Sequence, residues 1–189
     1  SDTLTDGNST TLSFSGTVTY VQTRKEIVFN LSSYSNFWKT GEPNHNGESV
    51  AYINNAATFE VVDEAQGWSN KYHLAERDDG ATSMSNHTYL GSFQGHSYFR
   101  SNGSQSYWYN AQSRAIADGG YLLIIDSAEE YEWVRNTLWP TAKSWSNQYW
   151  RIGLRQKNNG TAYTEDWYWH GRKQDTGVFD SSIGYNGGV

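Results

Sequence analysis

Aromatic rings are what this chain must build its core from, because nine Trp, fourteen Tyr and seven Phe stand in a sequence with no Cys and a mean hydropathy of −0.78. Aromatic side chains bury more area than any others, so a polar chain can still close a core around them. The length of 189 residues suits a single domain with such a core, and disorder is disfavoured. The lack of cysteine excludes a disulfide framework, thiolate zinc sites and a cysteine nucleophile together. A net charge of −6 with only 14 scattered Lys and Arg argues against a general polyanion binder, and no nucleic-acid partner is expected. No apolar run approaches the roughly 18 residues of a membrane span, so no membrane insertion is expected. The polar, turn-forming residues 1–10 read as a linker or module boundary, as in a module of a larger protein. Five Asn-x-Ser/Thr sequons, at Asn8, Asn30, Asn86, Asn102 and Asn159, carry no weight in a chain so rich in Asn, Ser and Thr.

Local patterns divide the chain into elements. Residues 17–21 and 26–31 are β-branched and aromatic on either side of a polar turn, which predicts a hairpin. Strands are expected at residues 50–53, 59–62 and 72–75 within a loop-rich stretch, and the turn-rich residues 77–83 mark a seam. Trp108, Ala111 and Ala115 recur at i, i+3 and i+7 and stop at Gly119-Gly120, which predicts a first helix with a glycine terminator. Ser127-Ala128-Glu129-Glu130 has the form of a capping box and opens a second helix with Tyr131, Val134 and Leu138 on one face. Residues 121–125, 149–154 and 167–169 read as further strands.

The sequence lacks the nucleophile elbow, zincin, P-loop and dinucleotide-binding motifs. Its five histidines, at 45, 73, 87, 96 and 170, never fall at ligand spacing on one helix. Glu129-Glu130 suits the first turn of a helix and Asp78-Asp79 suits a turn, so both acidic pairs read as structural. The stretch from Trp38 to Glu48 is different. It gathers Glu42, Asn44, Asn46 and Glu48 in a loop bent by Pro43 and two glycines, with no apolar residue after Trp38 except that proline. Such residues make an ordinary solvated loop. They are also the hard oxygen donors that calcium takes in irregular geometry.

Glu42-Pro43-Asn44, with Trp38 before it, Glu48 after it and Gly67-Trp68-Ser69-Asn70 further on, resembles the E-P-N…E…W-N-D signature of sugar-binding C-type lectins. Tyr72-His73-Leu74-Ala75-Glu76 is similar to that family's closing strand. The family's opening half then follows in order. His96-Ser97-Tyr98-Phe99 resembles its first strand, Trp108 and Ala111 its first helix, and Ser127-Ala128-Glu129-Glu130 the start of its second. Trp150-Arg151-Ile152-Gly153-Leu154 is similar to its W-I-G-L strand, and Trp167-Tyr168-Trp169-His170-Gly171 to its W-x-W-x-G. The closing half thus precedes the opening half, as in a circular permutation. Ala115, Ala75 and Val50 stand where the family has half-cystines, a pattern similar to ligand-binding modules of bacterial calcium-dependent surface adhesins.

The resemblance implies an α+β C-type lectin-like fold with two helices, antiparallel sheets, a long calcium-binding loop region and an extra N-terminal hairpin. One domain would span 1–189: residues 1–76 match the closing half, 77–95 connect, 96–171 match the opening half and 172–189 form a tail or joining segment. It implies a calcium-dependent, non-enzymatic carbohydrate-binding module of a larger extracellular protein at a cell surface, taking fucosylated or mannose-type glycans. A peptide- or protein-binding module on the same scaffold is the alternative, and a hydrolase, which would need a pocket with two acids, is the third. Calcium would be held by Glu42, Asn44, Glu48, Ser69, Asn70 and Asp63. Sugar would meet Glu42, Asn44, His45, Glu48 and Asn70. Asn70 stands where the family carries an Asp, a loss of one negative charge that Asp63 or Glu64 would restore. Trp38 and Trp68 are expected as buried anchors rather than sugar platforms.

Overall fold

The structure, a computed structural model, describes residues 2–5, 11–14, 37–44, 48–54, 57–65, 67, 70–145, 149–156, 167–169 and 185–186. The elements are β1 (Asp2–Thr5), β2 (Thr11–Phe14), β3 (Val50–Ile53), β4 (Val61–Glu64), β5 (Tyr72–Arg77), β6 (His87–Phe93), β7 (His96–Ser101), α1 (Trp108–Ala117), β8 (Tyr121–Leu122), α2 (Ala128–Trp133), α3 (Trp139–Trp145), β9 (Trp150–Gln156), β10 (Trp167–Trp169) and β11 (Tyr185–Asn186). A π-helical stretch, Val134–Leu138, joins α2 to α3, so the second helix is one run with a wider turn inside it. Pro140 enters α3 just after that turn, and having no N–H it cannot donate to a carbonyl one turn back. The chain is therefore α+β, with two helices and a mixed sheet. Among the described residues no helix is long and apolar enough to cross a membrane.

The two helices end where the local chemistry says they should. Gly119 takes φ 97° after α1, its N–H reaches the Ile116 carbonyl at 3.1 Å and the Gly120 N–H reaches Ala115 at 2.9 Å. That pair of bonds is the Schellman termination, which a residue with a β-carbon adopts only with strain. Ser127 caps α2 through a 3.1 Å bond from the Glu130 N–H to its hydroxyl. The reciprocal half of the capping box is shifted by one residue, because Glu130 Oε2 accepts the N–H of Asp126 at 2.9 Å.

Nine strands form one sheet in which β5 is the hub: it lies antiparallel to β7 and β8 and parallel to β9. β9 also carries β3 and β10, β4 pairs with β3, and β6 lies outside β7. Side chains alternate across this sheet, and both of its faces are covered. Leu74, Tyr98, Ala51, Ile53, Ile152 and Leu154 point into one cluster, with Tyr131, Val134, Leu138 and Trp139 of the second helix. Ala75, Phe99, Val50 and Tyr52 point into the other, with Trp108, Ala111 and Ala115 of α1. The period of two in the strands sends neighbours to opposite clusters, so β3 and β9 are buried at every position. The opposite face of β9 carries Arg151, fully buried, whose guanidinium donates to the Tyr52 hydroxyl at 3.0 Å and to the carbonyls of Gln105 at 2.6 Å and Ser106 at 3.1 Å.

Several expectations change. Within the polar residues 1–10, residues 2–5 form β1, which pairs antiparallel with β2 in a separate two-stranded sheet. The hairpin expected over residues 17–31 lies outside the described residues. The supposed connector 77–95 contains β6, seven residues paired along β7 with a register shift at Gly91. The sheet is mixed rather than purely antiparallel, because β5 and β9 run parallel. The segment after residue 171 contributes β11, paired with β10.

Candidate functional site

β4 organises the loop that carries Glu42 and Asn44. On one side of it, the Lys39 N–H reaches the Val61 carbonyl at 2.8 Å and the Val61 N–H reaches Phe37 at 2.9 Å. On the other side β3 pairs with it, so that Val50 faces Glu64 and Ala51 faces Asp63, and the Ser49 N–H bonds the Glu64 carbonyl at 3.1 Å. Both ends of the loop are thus stitched to the same short strand, which brings Glu42 and Asn44 to Asp63. Trp38 anchors the near end: its ring lies 5.0 Å from Trp167 and 5.5 Å from Phe37. Trp68 lies outside the described residues.

Asp63 is buried at 2 % exposure and takes the Asn44 backbone N–H on both carboxylate oxygens, each at 3.2 Å. The Asn44 amide donates to Glu42 Oε2 at 2.6 Å, and Glu42 hydrogen-bonds to Asp63. Glu42–Pro43 is a cis peptide. Burial pushes the Glu42 carboxyl up to about 8, with the hydrogen bond to Asp63 and the charges of Asp63 and Glu48 acting in the same direction and Lys39 opposing. Burial, followed by the charges of Glu48 and Asp63, pushes Glu64 up to about 7. Glu42 and Asp63 meet directly, while Glu48 and Glu64 act on them only through their charge, with Lys39 and Lys71 opposing.

Of the ligands expected from sequence, Glu42, Asn44 and Asp63 are brought into direct contact, and Glu48 lies within electrostatic reach of Glu42 and Glu64. Asn70 is exposed and makes no hydrogen bond to this group. His45 and Ser69 lie outside the described residues.

A second group escaped the sequence reading. His96 Nδ1 lies 2.5 Å from Glu76 Oε1 and 3.0 Å from Asp78 Oδ1. The Tyr121 hydroxyl donates to Asp78, and Glu76 Oε2 takes the Ile124 N–H at 3.3 Å. The three ligand atoms lie within 4.8 Å of one another, so Glu76, Asp78 and His96 could hold a metal ion, the one such acidic or imidazole triple among the described residues. Asp78 read as a turn residue and His96 as a strand start. Only the pairing of β5 with β7 places them together. Beneath it, burial first and then the Glu76 charge push Glu130 up to about 8, while the Tyr98 hydroxyl donates to it at 2.6 Å. Glu76 and Glu130 are both buried.

The first group offers only oxygen donors and an excess of negative charge, which suits a hard cation that accepts irregular geometry. No family model, no curated protein and no solved structure matches this chain.

Proposed function

We propose that the chain is a calcium-dependent carbohydrate-binding module. The observation that carries this reading is the convergence of Glu42, Asn44 and Asp63 at the end of β4, within electrostatic reach of Glu48. Glu42, Glu48, Asp63 and the Asn44 amide oxygen would hold calcium. The ion, when bound, supplies a positive centre that takes lone pairs from two adjacent sugar hydroxyls. The chain's own residues supply the rest: Glu42 accepts a hydrogen bond from one hydroxyl and the Asn44 amide donates one to the other, so the order of the two groups selects hydroxyl pairs by direction.

Three features agree with the resemblance to a permuted C-type lectin. Residues 76 and 98 are partners in neighbouring strands, as joining the closing half to the opening half requires. Ala75, Ala115 and Val50, at the half-cystine positions, are all fully buried in one cluster. Trp38 packs as an anchor. On this reading the ligands are fucosylated or mannose-type glycans, and the module belongs to a larger extracellular protein at a cell surface.

A glycan array run with millimolar calcium and again with chelator tests the proposal. Binding to mannose- or fucose-bearing glycans that vanishes with chelator is expected. Exchanging the two groups, as Glu42→Gln with Asn44→Asp, reverses donor and acceptor and moves preference toward galactose. Calcium-independent binding, or galactose preference in the unaltered chain, sinks the mechanism, and peptide binding without glycan binding favours the other use of the scaffold.

A further inference from the structure

His73 and His87 are 14 residues apart in sequence, on β5 and at the first position of β6. The strand between them, β7, brings them together. The His73 N–H bonds to the Ser101 hydroxyl at 3.0 Å, while His87 pairs with Ser101 across β6–β7. The two imidazoles meet with their Nε2 atoms 2.9 Å apart, ring centroids 5.0 Å apart and ring planes at 65°. A cavity of about 310 Å³ opens beside them, with both histidines, Ser101, Asn86, Asn102 and Gln105 among its walls.

The tautomer of His87 is set by its surroundings. Its Nδ1 lies 2.6 Å from the Ser85 carbonyl, which can only accept, so Nδ1 carries the proton. The Asp118 carboxylate stands 3.5 Å from the same nitrogen. Nε2 of His87 therefore accepts the Nε2–H of His73, the proton that a metal bound to both rings would displace, and a carbonyl and a carboxylate behind it orient the ring and make it more basic. Metal-ligating histidines are held in this way. His73 is completely buried, and its other ring nitrogen, Nδ1, has no hydrogen-bond partner. Two nitrogens bound at about 2.0–2.1 Å and at right angles to one another lie about 2.9 Å apart, the cis arrangement of tetragonal and square-planar centres.

From this geometry we infer that His73 and His87 form a binding site for a divalent transition metal of the copper or nickel class, bound through both Nε2 atoms, with water and oxygen donors of the cavity completing the shell. Burial keeps both imidazoles below their ordinary range and hence neutral, the form in which imidazole binds metal. Arg114 lowers both histidines as well, but its Nε is held by Asp118 at 2.7 Å. The site is chemically distinct from the loop of oxygen donors, and a hard cation there does not compete for imidazole nitrogen.

Copper(II) titration of the full chain, with millimolar calcium present throughout, tests this. The first ion taken up is expected to give an electron paramagnetic resonance spectrum split by two equatorial nitrogens, ahead of any weaker uptake by Glu76, Asp78 and His96. That spectrum requires no variant, so it stands even if His73→Gln fails to fold. His87→Gln should weaken uptake at least about 10-fold, and His96→Gln, which alters the other histidine-containing cluster, should leave affinity and spectrum unchanged. The inference is overturned by absence of stoichiometric uptake, by a one-nitrogen spectrum, by uptake unchanged in His87→Gln, or by loss of the site in His96→Gln.

Discussion

Glu42 shows how a single residue reports on the function of the loop. Its carboxyl is held at about 8 by burial and by its acidic neighbours, against an ordinary value of 4.5, so the folded chain binds a proton there that the unfolded chain has released. Stability from this residue is present in full below pH 4.5 and is lost as pH rises toward 8. Without calcium, Glu42→Gln should match the unaltered chain at pH 5 and exceed it at pH 8. Solvent reaches Glu42, so the gain is on the order of 1 kcal/mol after screening, or about 2–4 °C in Tm for a chain of this size. Glu64 and Glu130 titrate in the same window and are common to both proteins, so the difference reports Glu42 together with the acidic neighbours it interacts with. Calcium should raise the Tm of the unaltered chain at pH 8 and leave Glu42→Gln nearly unmoved. Equal Tm values at pH 8, or an undiminished response to calcium, would place the cation elsewhere. The residues of this loop, and Asp63 with them, were legible as oxygen donors, but not that the Asp63 carboxylate takes the Asn44 backbone N–H from 19 residues further on.

At the scale of elements, β9 shows why a glycine interrupts an otherwise bulky strand. Gly153 donates its N–H to the Leu123 carbonyl at 2.8 Å. A β-carbon there would lie 2.9 Å from the Leu123 oxygen and 3.0 Å from that of Leu122, both backbone atoms that cannot swing away. Gly153→Ala should therefore force the β8 segment off β9 and cost about 1–3 kcal/mol. Urea denaturation with an unchanged slope and a lower midpoint would show it, and a midpoint within error of the parent would mean that the two segments are not so close. The helices needed no such partner to be recognised. Ser127 and the glycines after α1 act within one turn, and their signals survive in any window of sequence. β6 carried no comparable mark, since its exposed and half-buried residues do not alternate cleanly, and its place as a strand depends on the unsatisfied edge of β7.

Across the whole molecule, the two clusters on opposite faces of the sheet make one body of segments from both halves of the sequence. β5 and β3 come from the first half, while β7, β9 and both helices come from the second. Ala75 and Ala115 share the cluster beneath α1, and with both changed to Cys an intramolecular bridge is expected to form in air, raising stability by about 2–4 kcal/mol. Peptide mapping that finds only free thiols would count against the residue-by-residue likeness to C-type lectins. The sequence by itself determined the ring-built core, both helices with their ends, the strands at β5, β9 and β10, and the oxygen-rich loop, because caps, periodicity and composition act over a few neighbouring residues. Only the tertiary structure decided that β5 runs parallel to β9, that Asp63 closes on Asn44, that Glu76, Asp78 and His96 form one group and that His73 meets His87. Each of these joins residues whose separation is set by strand order, and no local spacing encodes the order in which strands pair.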